Sequence, residues 1–141
     1  MAVSYTAVVN VDGEGRNGGR VQSEDGLLQT TLAIPKELGG AGNATNPEQL
    51  FAAGWAACFL GAVRRAAAER KIRLASTAIT AEISLNHGDD GEFGLAAVLN
   101  VELGGVDEET ATELGAAAHR ICPYSKATRG NIPVTVNATA V

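Results

Sequence analysis

An apolar run of fourteen residues, 50–63, most constrains how this chain can fold. Asn46 is a typical helix-capping residue and Pro47 suits the first helical position, so a helix is predicted from residue 47 to about 70–71. A membrane span needs about 20 apolar residues, which favours a helix buried inside a protein core. Because this helix is apolar on almost every face, we expect a second copy of the chain to cover part of it in an obligate homodimer.

The segments around this helix alternate between apolar and polar residues, as β-strands do. The other predicted elements are strands at 4–11, 20–23 and 26–33, a loop at 35–45, strands at 77–86 and 93–103 joined by a turn at 87–91, a helix at 107–121 and a strand at 132–140. Pro133 favours an edge position for the last strand. The second helix has an apolar stripe of Ala111, Leu114, Ala118 and Ile121. Hairpins without βαβ alternation predict an α+β fold.

The length and the net charge of the chain narrow the classes of function that it can have. The 141 residues suit a single domain, 1–141, and 11 basic against 16 acidic side chains make nucleic acid a poor partner. The first residues have neither a cationic start nor an apolar core, so we expect no signal peptide and a cytoplasmic protein. A structural disulfide is uncommon in the cytoplasm. The two cysteines are therefore candidates for catalytic, redox or metal roles, or are simply buried thiols.

Cys58 and Cys122 occupy electrostatically different positions. Cys58 lies about 18 Å from the predicted start of the first helix, too far for the helix dipole to stabilise a thiolate, and burial would raise its pKa. A nearby cation would have to make it reactive. Cys122 follows a helix C-terminus, where the dipole opposes a thiolate, so it suits a resolving thiol. Two unrelated packing cysteines are the alternative.

Candidate partners for a thiolate are Arg16 in a glycine-rich turn, and Arg120, Lys126 and Arg129 near Cys122. Glu48, in the first turn of the long helix, could hold Arg16, although each could also be an ordinary surface charge. Ten residues separate Glu48 from Cys58, about 15 Å along a straight helix and about 80° around it. A bridge between them requires either a helix break near Gly54 or residues from different subunits.

Other kinds of site find little support. Cys58, His87, His119 and Cys122 could be imagined as zinc ligands, but no paired CxxC motif is present and we expect no metal site. A Ser/His/Asp triad lacks a nucleophile elbow. The glycine-rich turn lacks the lysine and the following helix of a phosphate loop, and we expect no bound cofactor.

Two blocks of sequence resemble a known family. Residues 46–59, Asn-Pro-Glu-Gln-Leu-Phe-Ala-Ala-Gly-Trp-Ala-Ala-Cys-Phe, and 119–131, which include Ile-Cys-Pro-Tyr-Ser, strongly resemble the organic hydroperoxide resistance (Ohr) proteins of the Ohr/OsmC family. The resemblance extends through the chain. It implies antiparallel sheets wrapped around central helices in an intertwined homodimer with active sites at the subunit interface. It also implies a peroxidase that acts on alkyl and fatty-acid hydroperoxides and is reduced by dihydrolipoamide or lipoylated proteins.

The same resemblance implies a role for each site residue. Cys58 matches the peroxidatic cysteine, Cys122 the resolving cysteine, Glu48 the active-site acid and Arg16 the arginine of a glycine-rich turn. The turn departs from the family pattern at Glu14 and Asn17, so Arg20 is a second candidate, although the position after Gly15 favours Arg16.

The implied cycle begins with a sulfenic acid on Cys58 and closes with a Cys58–Cys122 disulfide. Apolar neighbours of Cys58 (Phe51, Trp55, Phe59 and Leu60), some of which must belong to the core, favour a hydrophobic mouth and organic hydroperoxides rather than hydrogen peroxide. An oxidant sensor without turnover and a structural dimerisation module are the alternatives of other classes.

Overall fold

The computed structural model describes residues 2 and 4–141, which form two compact units, Met1–Leu50 and Phe51–Val141. The first unit is a three-stranded antiparallel sheet, β1 (Val9–Asp12), β2 (Arg20–Ser23) and β3 (Gln29–Thr31), in that order. The predicted meander is confirmed. The predicted single domain 1–141 remains a prediction. One continuous helix, α1 (Pro47–Glu69), begins in the first unit and ends in the second.

Two strands of the first unit are shorter than predicted. Residues 4–8 lie outside β1, because its ladder with β2 ends where Val9 pairs with Ser23. The third strand begins only at Gln29, since Gly26 adopts a positive φ of 77° in a turn that its N–H closes on the Ser23 carbonyl. The loop predicted at 35–45 is present and contains one turn of 3₁₀ helix, Lys36–Leu38.

Helix α1 begins where its capping residues predict. The Asn46 side chain accepts a hydrogen bond from the Gln49 N–H at 2.9 Å, and Pro47 is the first helical residue. The helix ends at Glu69, slightly before the predicted 70–71, and Lys71 takes a positive φ of 56°. Within the described chain, α1 is the one helix long and apolar enough to span a membrane, a property that core helices of soluble proteins share.

The second unit contains the mixed sheet and the remaining helices. Its elements after α1 are β4 (Ser76–His87), β5 (Phe93–Gly104), α2 (Glu108–Ile121), α3 (Pro123–Thr128) and β6 (Val134–Ala140). The sheet order is β4-β5-β6, with β4 antiparallel to β5, so the predicted hairpin and the edge position of the last strand are confirmed.

One feature of this sheet was predicted wrongly. Strand β6 runs parallel to β5, with Ala97 opposite Val134, so the sheets are not all antiparallel and the predicted absence of a βαβ connection is wrong. Helices α2 and α3 form the crossover that parallel pairing needs. The α+β class is confirmed by the two sheets and three helices.

The core of the second unit joins α1, β5 and α2. Trp55, Phe59 and Val63 from α1 are fully buried, and Leu99 and Leu114 are fully buried from β5 and α2. The remaining fully or almost fully buried apolar side chains include Ala66, Ala67, Val101, Leu103, Ala111 and Ala118. Three of the four predicted α2 stripe residues are in this core. Ile121, at the end of the helix, is instead 40% exposed.

Replacing Asn46 tests the cap that starts α1. Asn46→Ala removes the acceptor for the Gln49 N–H, and we expect a loss of about 1 kcal/mol in the free energy of unfolding. Urea denaturation at fixed protein concentration measures it. Asn43→Ala, an exposed change in the same loop, is the control and should lie within about 0.5 kcal/mol of the parent. Equal stability of both variants would contradict the capping role.

Candidate active site

The structure brings the two cysteines together. Cys58 lies in the middle of α1, and Cys122 lies between the end of α2 and the start of α3. The Cys122 thiol hydrogen-bonds to the Cys58 sulfur with the two Sγ atoms 3.7 Å apart, and both cysteines are free thiols. A disulfide has its sulfurs about 2 Å apart, so only a small movement separates this arrangement from a bond.

Packing between α1 and α3 sets this spacing. The buried Trp55 Nε1–H donates to the buried Ser125 Oγ at 3.2 Å. One helix position away, Gly54 lets the Tyr124 ring approach closely, since a Cβ at Gly54 would lie 3.4 Å from it. Trp55 and Ser125 are three residues from Cys58 and Cys122, so this contact holds the two sulfur-bearing segments against each other. Neither residue's positioning role was foreseen.

Short-range sequence signals explain the turn at Cys122. Pro123 disfavours helical geometry at the preceding residue, and Cys122 accordingly has φ −62° and ψ 122°. The proline then serves as the first residue of α3. The sequence-based argument that a helix dipole opposes a Cys122 thiolate is therefore incomplete, because Cys122 ends one helix and precedes another.

The surroundings of Cys58 oppose its ionisation. Burial raises the pKa of the Cys58 thiol, as predicted, and the hydrogen bond and charge of neighbouring Cys122 act in the same direction. The backbone N–H of Tyr124 lowers the pKa and offsets part of this effect. Within its own unit Cys58 is thus favoured as a thiol, and a reactive thiolate needs a further positive group.

Arg16 and Glu48 form a two-bond ion pair within the first unit. Arg16 Nη1 and Nη2 donate to the two carboxylate oxygens of Glu48 at 2.8 and 2.7 Å. The Arg16 hydrogen bond is the main cause of the lowered pKa of Glu48, and Glu48 in turn raises the pKa of Arg16. A planar, two-bond pair of this kind fixes the orientation of the guanidinium in addition to attracting its charge.

The glycine-rich turn decides which arginine meets Glu48. Arg16 lies in a single 3₁₀ turn, Gly15–Asn17, which is pressed against the strand that follows. A Cβ at Gly19 would lie 2.4 Å from the Asp12 carbonyl oxygen and 2.8 Å from the Gly15 nitrogen, so only glycine allows this close approach. Arg20 points elsewhere and pairs with exposed Asp12 at 2.9 Å.

Helix α1 passes through Gly54 without a break. The predicted alternative of a helix break near Gly54 is therefore wrong. Along an unbroken helix Glu48 and Cys58 are about 15 Å apart in axial rise and about 80° apart around the axis. The other alternative, in which the residues come from different subunits, stays a prediction.

An open pocket of about 410 Å³, here called the Cys58 pocket, lies beside the first cysteine. It is lined by Cys58, Gly61, Ala62, Arg65, Glu69, Arg120, Ile121, Pro123 and Lys126. Of the four apolar neighbours of Cys58, some of which were expected to belong to the core, Trp55 and Phe59 are the core residues. Trp55 and Phe59 are both 0% exposed.

The imagined zinc ligands are not assembled. His87 stacks on Phe93 at the end of β4, with ring centroids 4.4 Å apart. Among residues 2 and 4–141, no group of three or more His, Cys, Asp or Glu side chains is placed to hold a metal ion. His119 packs near Phe59, and burial, followed by the charge of Arg129, lowers its pKa.

Comparison with known proteins identifies the family. Residues 40–137 match the OsmC-like protein family. The chain is 46% identical over 136 residues to the organic hydroperoxide resistance protein of Xanthomonas axonopodis pv. citri, covering 95% of this chain and 94% of the relative. It is 44% identical over 131 residues to the organic hydroperoxide resistance protein OhrB of Bacillus subtilis, covering 92% and 94%.

Solved structures agree with these sequence relatives. An organic hydroperoxide resistance protein from Legionella pneumophila superposes with a TM-score of 0.91 at 44% identity, covering 97% of this chain and 98% of that one. The corresponding protein from Elizabethkingia anophelis gives 0.92 at 39% identity and covers both chains fully, 100% and 100%.

The chain therefore belongs to the OsmC-like family, and within it to the organic hydroperoxide resistance (Ohr) proteins. The resemblance inferred from residues 46–59 and 119–131 is confirmed, as is the expected Ohr/OsmC fold.

Exposure predicts how the two thiols differ towards an alkylating reagent. Cys122 is 0% exposed, whereas Cys58 is partly exposed and lines the pocket. Limited iodoacetamide treatment of the reduced native protein should modify Cys58 at least about ten times faster than Cys122. Peptide mass spectrometry locates the label, and the same reaction in guanidinium chloride is the control, where the two rates should converge. Faster native labelling of Cys122 would contradict the assigned geometry.

Proposed function

We propose that this protein is a thiol-dependent peroxidase that reduces alkyl and fatty-acid hydroperoxides to alcohols, in defence against oxidative stress. The observation that carries the proposal is the pair of free thiols with sulfurs 3.7 Å apart, one of them beside an open pocket. The names of its relatives, organic hydroperoxide resistance proteins, supply the substrate class. The short resting distance suits a cycle in which a thiol pair alternates with a disulfide.

The difference in exposure supports different roles for the two sulfurs. Cys58 is the group that a hydroperoxide can reach, so it attacks first. Its thiolate forms a bond to one peroxide oxygen, the O–O bond breaks, and the departing alkoxide takes a proton to become the alcohol. The Cys58 sulfur is thereby oxidised to a sulfenic acid. Buried Cys122 then attacks that sulfur, forming the disulfide and releasing water.

The first step needs a thiolate, and Arg16 is the proposed source of the positive charge. Two N–H groups of its guanidinium bind Glu48, and a guanidinium has five, so it can hold Glu48 and a thiolate together. An opposite charge within about 4–6 Å lowers a thiol pKa, which would offset the effect of burial at Cys58. The same charge would stabilise the negative oxygen that develops as the O–O bond breaks.

The length of α1 supports a homodimer. Because Glu48 and Cys58 are separated along one unbroken helix, we propose that Arg16 and Glu48 of one subunit complete the site at Cys58 of the other. Phe51 on α1 is 37% exposed, and Ala53 and Ala57 are also exposed, so this helix retains apolar surface for a second copy to cover. Each dimer then has two sites at the subunit interface.

A dithiol completes the proposed cycle. A dihydrolipoamide-type reductant, free or on a lipoylated protein, exchanges with the Cys58–Cys122 disulfide, becomes a disulfide itself and returns both cysteines to thiols. No bound cofactor or metal is needed for any step, since all electrons pass through sulfur. Cytoplasmic location is part of the proposal, because a reducing compartment supplies such dithiols.

Serine variants test the two cysteine roles. Cys58→Ser should abolish consumption of cumene hydroperoxide, a loss of at least about 10³-fold, because the attacking sulfur is gone. Cys122→Ser should consume one equivalent and then stall. Peroxide consumption with excess dihydrolipoamide measures both, and Ala68→Ser, an exposed change on the same helix outside the Cys58 pocket, is the control. Full turnover by Cys58→Ser would disprove the peroxidase mechanism, and wild-type oxidation without turnover would indicate a sensor.

Mixing two inactive variants tests the shared site. Arg16→Gln lacks the cation and Cys58→Ser lacks the nucleophile, so each homodimer should be nearly inactive. If the site spans subunits, a heterodimer pairs Cys58 from the first variant with Arg16 from the second. Unfolding and refolding the two together should then restore about a quarter of wild-type activity. Arg20→Gln is the matched control and should be active alone, while no recovery in the mixture would place both residues' action within one subunit.

A further inference from the structure

The charges around the Cys58 pocket differ from those of the chain as a whole. The chain has a formal net charge of −5. The pocket, however, is lined by three basic residues, Arg65, Arg120 and Lys126, and by a single acid, Glu69. The cysteine that we propose reacts first therefore faces a mouth of local positive charge on an acidic protein.

Two of these cations are available to a ligand. Arg65 Nε lies 3.1 Å from the Glu69 carboxylate, so the one acid of the pocket is already engaged. Arg120 and Lys126 form no salt bridge with any residue that the structure describes. Arg120 is in the last turn of α2 and Lys126 is in α3, so they flank the segment that holds Cys122.

The rest of the pocket wall is apolar or small. Gly61 and Ala62 come from α1, and Ile121 and Pro123 come from the α2–α3 junction. The 40% exposure of Ile121, which was predicted to be buried in the α2 stripe, places an apolar surface next to the two free cations. A volume of about 410 Å³ is within the range of small-molecule sites. A matching ligand has a hydrocarbon part and an anionic end.

We propose that Arg120 and Lys126 bind the carboxylate of fatty-acid hydroperoxides and so make the enzyme favour acidic over neutral organic hydroperoxides. This inference rests on the peroxidase function proposed above. Arg120 presents a planar fork that suits a carboxylate, and Lys126 adds a point charge. The hydrocarbon chain lies along Ile121 and Pro123, while the hydroperoxide group meets the Cys58 sulfur.

Solvent exposure sets the size of the effect. Both cations are exposed, and exposed ion pairs contribute little individually and weaken with salt. Two such contacts together correspond to a selectivity of about three- to tenfold. The effect should appear in kcat/KM and decline as the ionic strength rises towards about 1 M.

A carboxylate on the dithiol reductant is a second possible source of the anion. Because Cys122 is 0% exposed, a reductant also has to approach the disulfide from the Cys58 side. The assay therefore varies the two ligands independently. A hydroperoxy fatty acid is compared with its methyl ester, and dihydrolipoate is compared with dihydrolipoamide.

The test uses two double variants of equal charge change. Arg120→Gln with Lys126→Gln removes the pocket cations, and Lys36→Gln with Arg73→Gln removes two exposed positive charges outside the pocket. The measured quantity is the ratio of kcat/KM for the acid to that for its methyl ester, below the micelle concentration. We expect the wild type and the control to prefer the acid about three- to tenfold, and the pocket variant to have a ratio near one.

Other outcomes overturn the proposal at distinct points. An equal fall of the ratio in both double variants would show that overall charge, not the pocket, sets the preference, and an unchanged ratio in the pocket variant would exclude Arg120 and Lys126 as its source. A change confined to the dihydrolipoate-to-dihydrolipoamide ratio would assign the cations to the reductant instead. If the wild type consumed neither hydroperoxide, the peroxidase function itself would fail, whereas turnover without acid preference would overturn only the assignment of Arg120 and Lys126.

Discussion

The hydrogen bond between the buried Trp55 indole and Ser125 is the contact on which the candidate site depends. It joins the middle of α1 to α3, and the close approach of Tyr124 to Gly54 supports it from one side. Without this contact, the polar connections between the two helices near the sulfurs would be the weak thiol–thiol bond and the Tyr124 backbone N–H at Cys58. A redox pair needs such rigidity, because the two sulfurs must meet again after each oxidation.

The same burial that fixes the sulfurs creates an electrostatic difficulty. A thiol in apolar surroundings is hard to ionise, and Cys58 has a raised pKa for that reason. The first unit contains a positive group of the kind that lowers a thiol pKa, the Arg16 guanidinium, which Glu48 holds in one orientation. Helix α1 is continuous, and ten residues of it separate Glu48 from Cys58, about 15 Å of axial rise. Dimerisation would then be part of the chemistry and not only of stability, because each copy would supply what the other lacks.

The sequence predicted those parts of the fold that local rules govern. The start of α1 follows from Asn46 and Pro47, and the long hairpin of β4 and β5 follows from alternation. The six-residue helix α3 was missed, since it is too short to show periodicity. The parallel direction of β6 was missed because alternation reports which face is buried and not which way a strand runs. Both errors concern tertiary packing, which no short window of sequence contains.

In the candidate site, too, some features could be predicted from the sequence and others depend on tertiary packing. Residue types and the family resemblance were enough to single out Cys58, Cys122, Arg16 and Glu48, whose roles remain proposals. They favoured Arg16 over Arg20 by its position after Gly15, but they could not show that a turn in which Gly19 packs against backbone leads Arg16 to pair with Glu48. They named Arg120 and Lys126 as cations near Cys122, but they could not show that both line the Cys58 pocket without a salt-bridge partner among the described residues. Specificity in such a site depends on which surface charges are left without partners, and only the packed helices determine that.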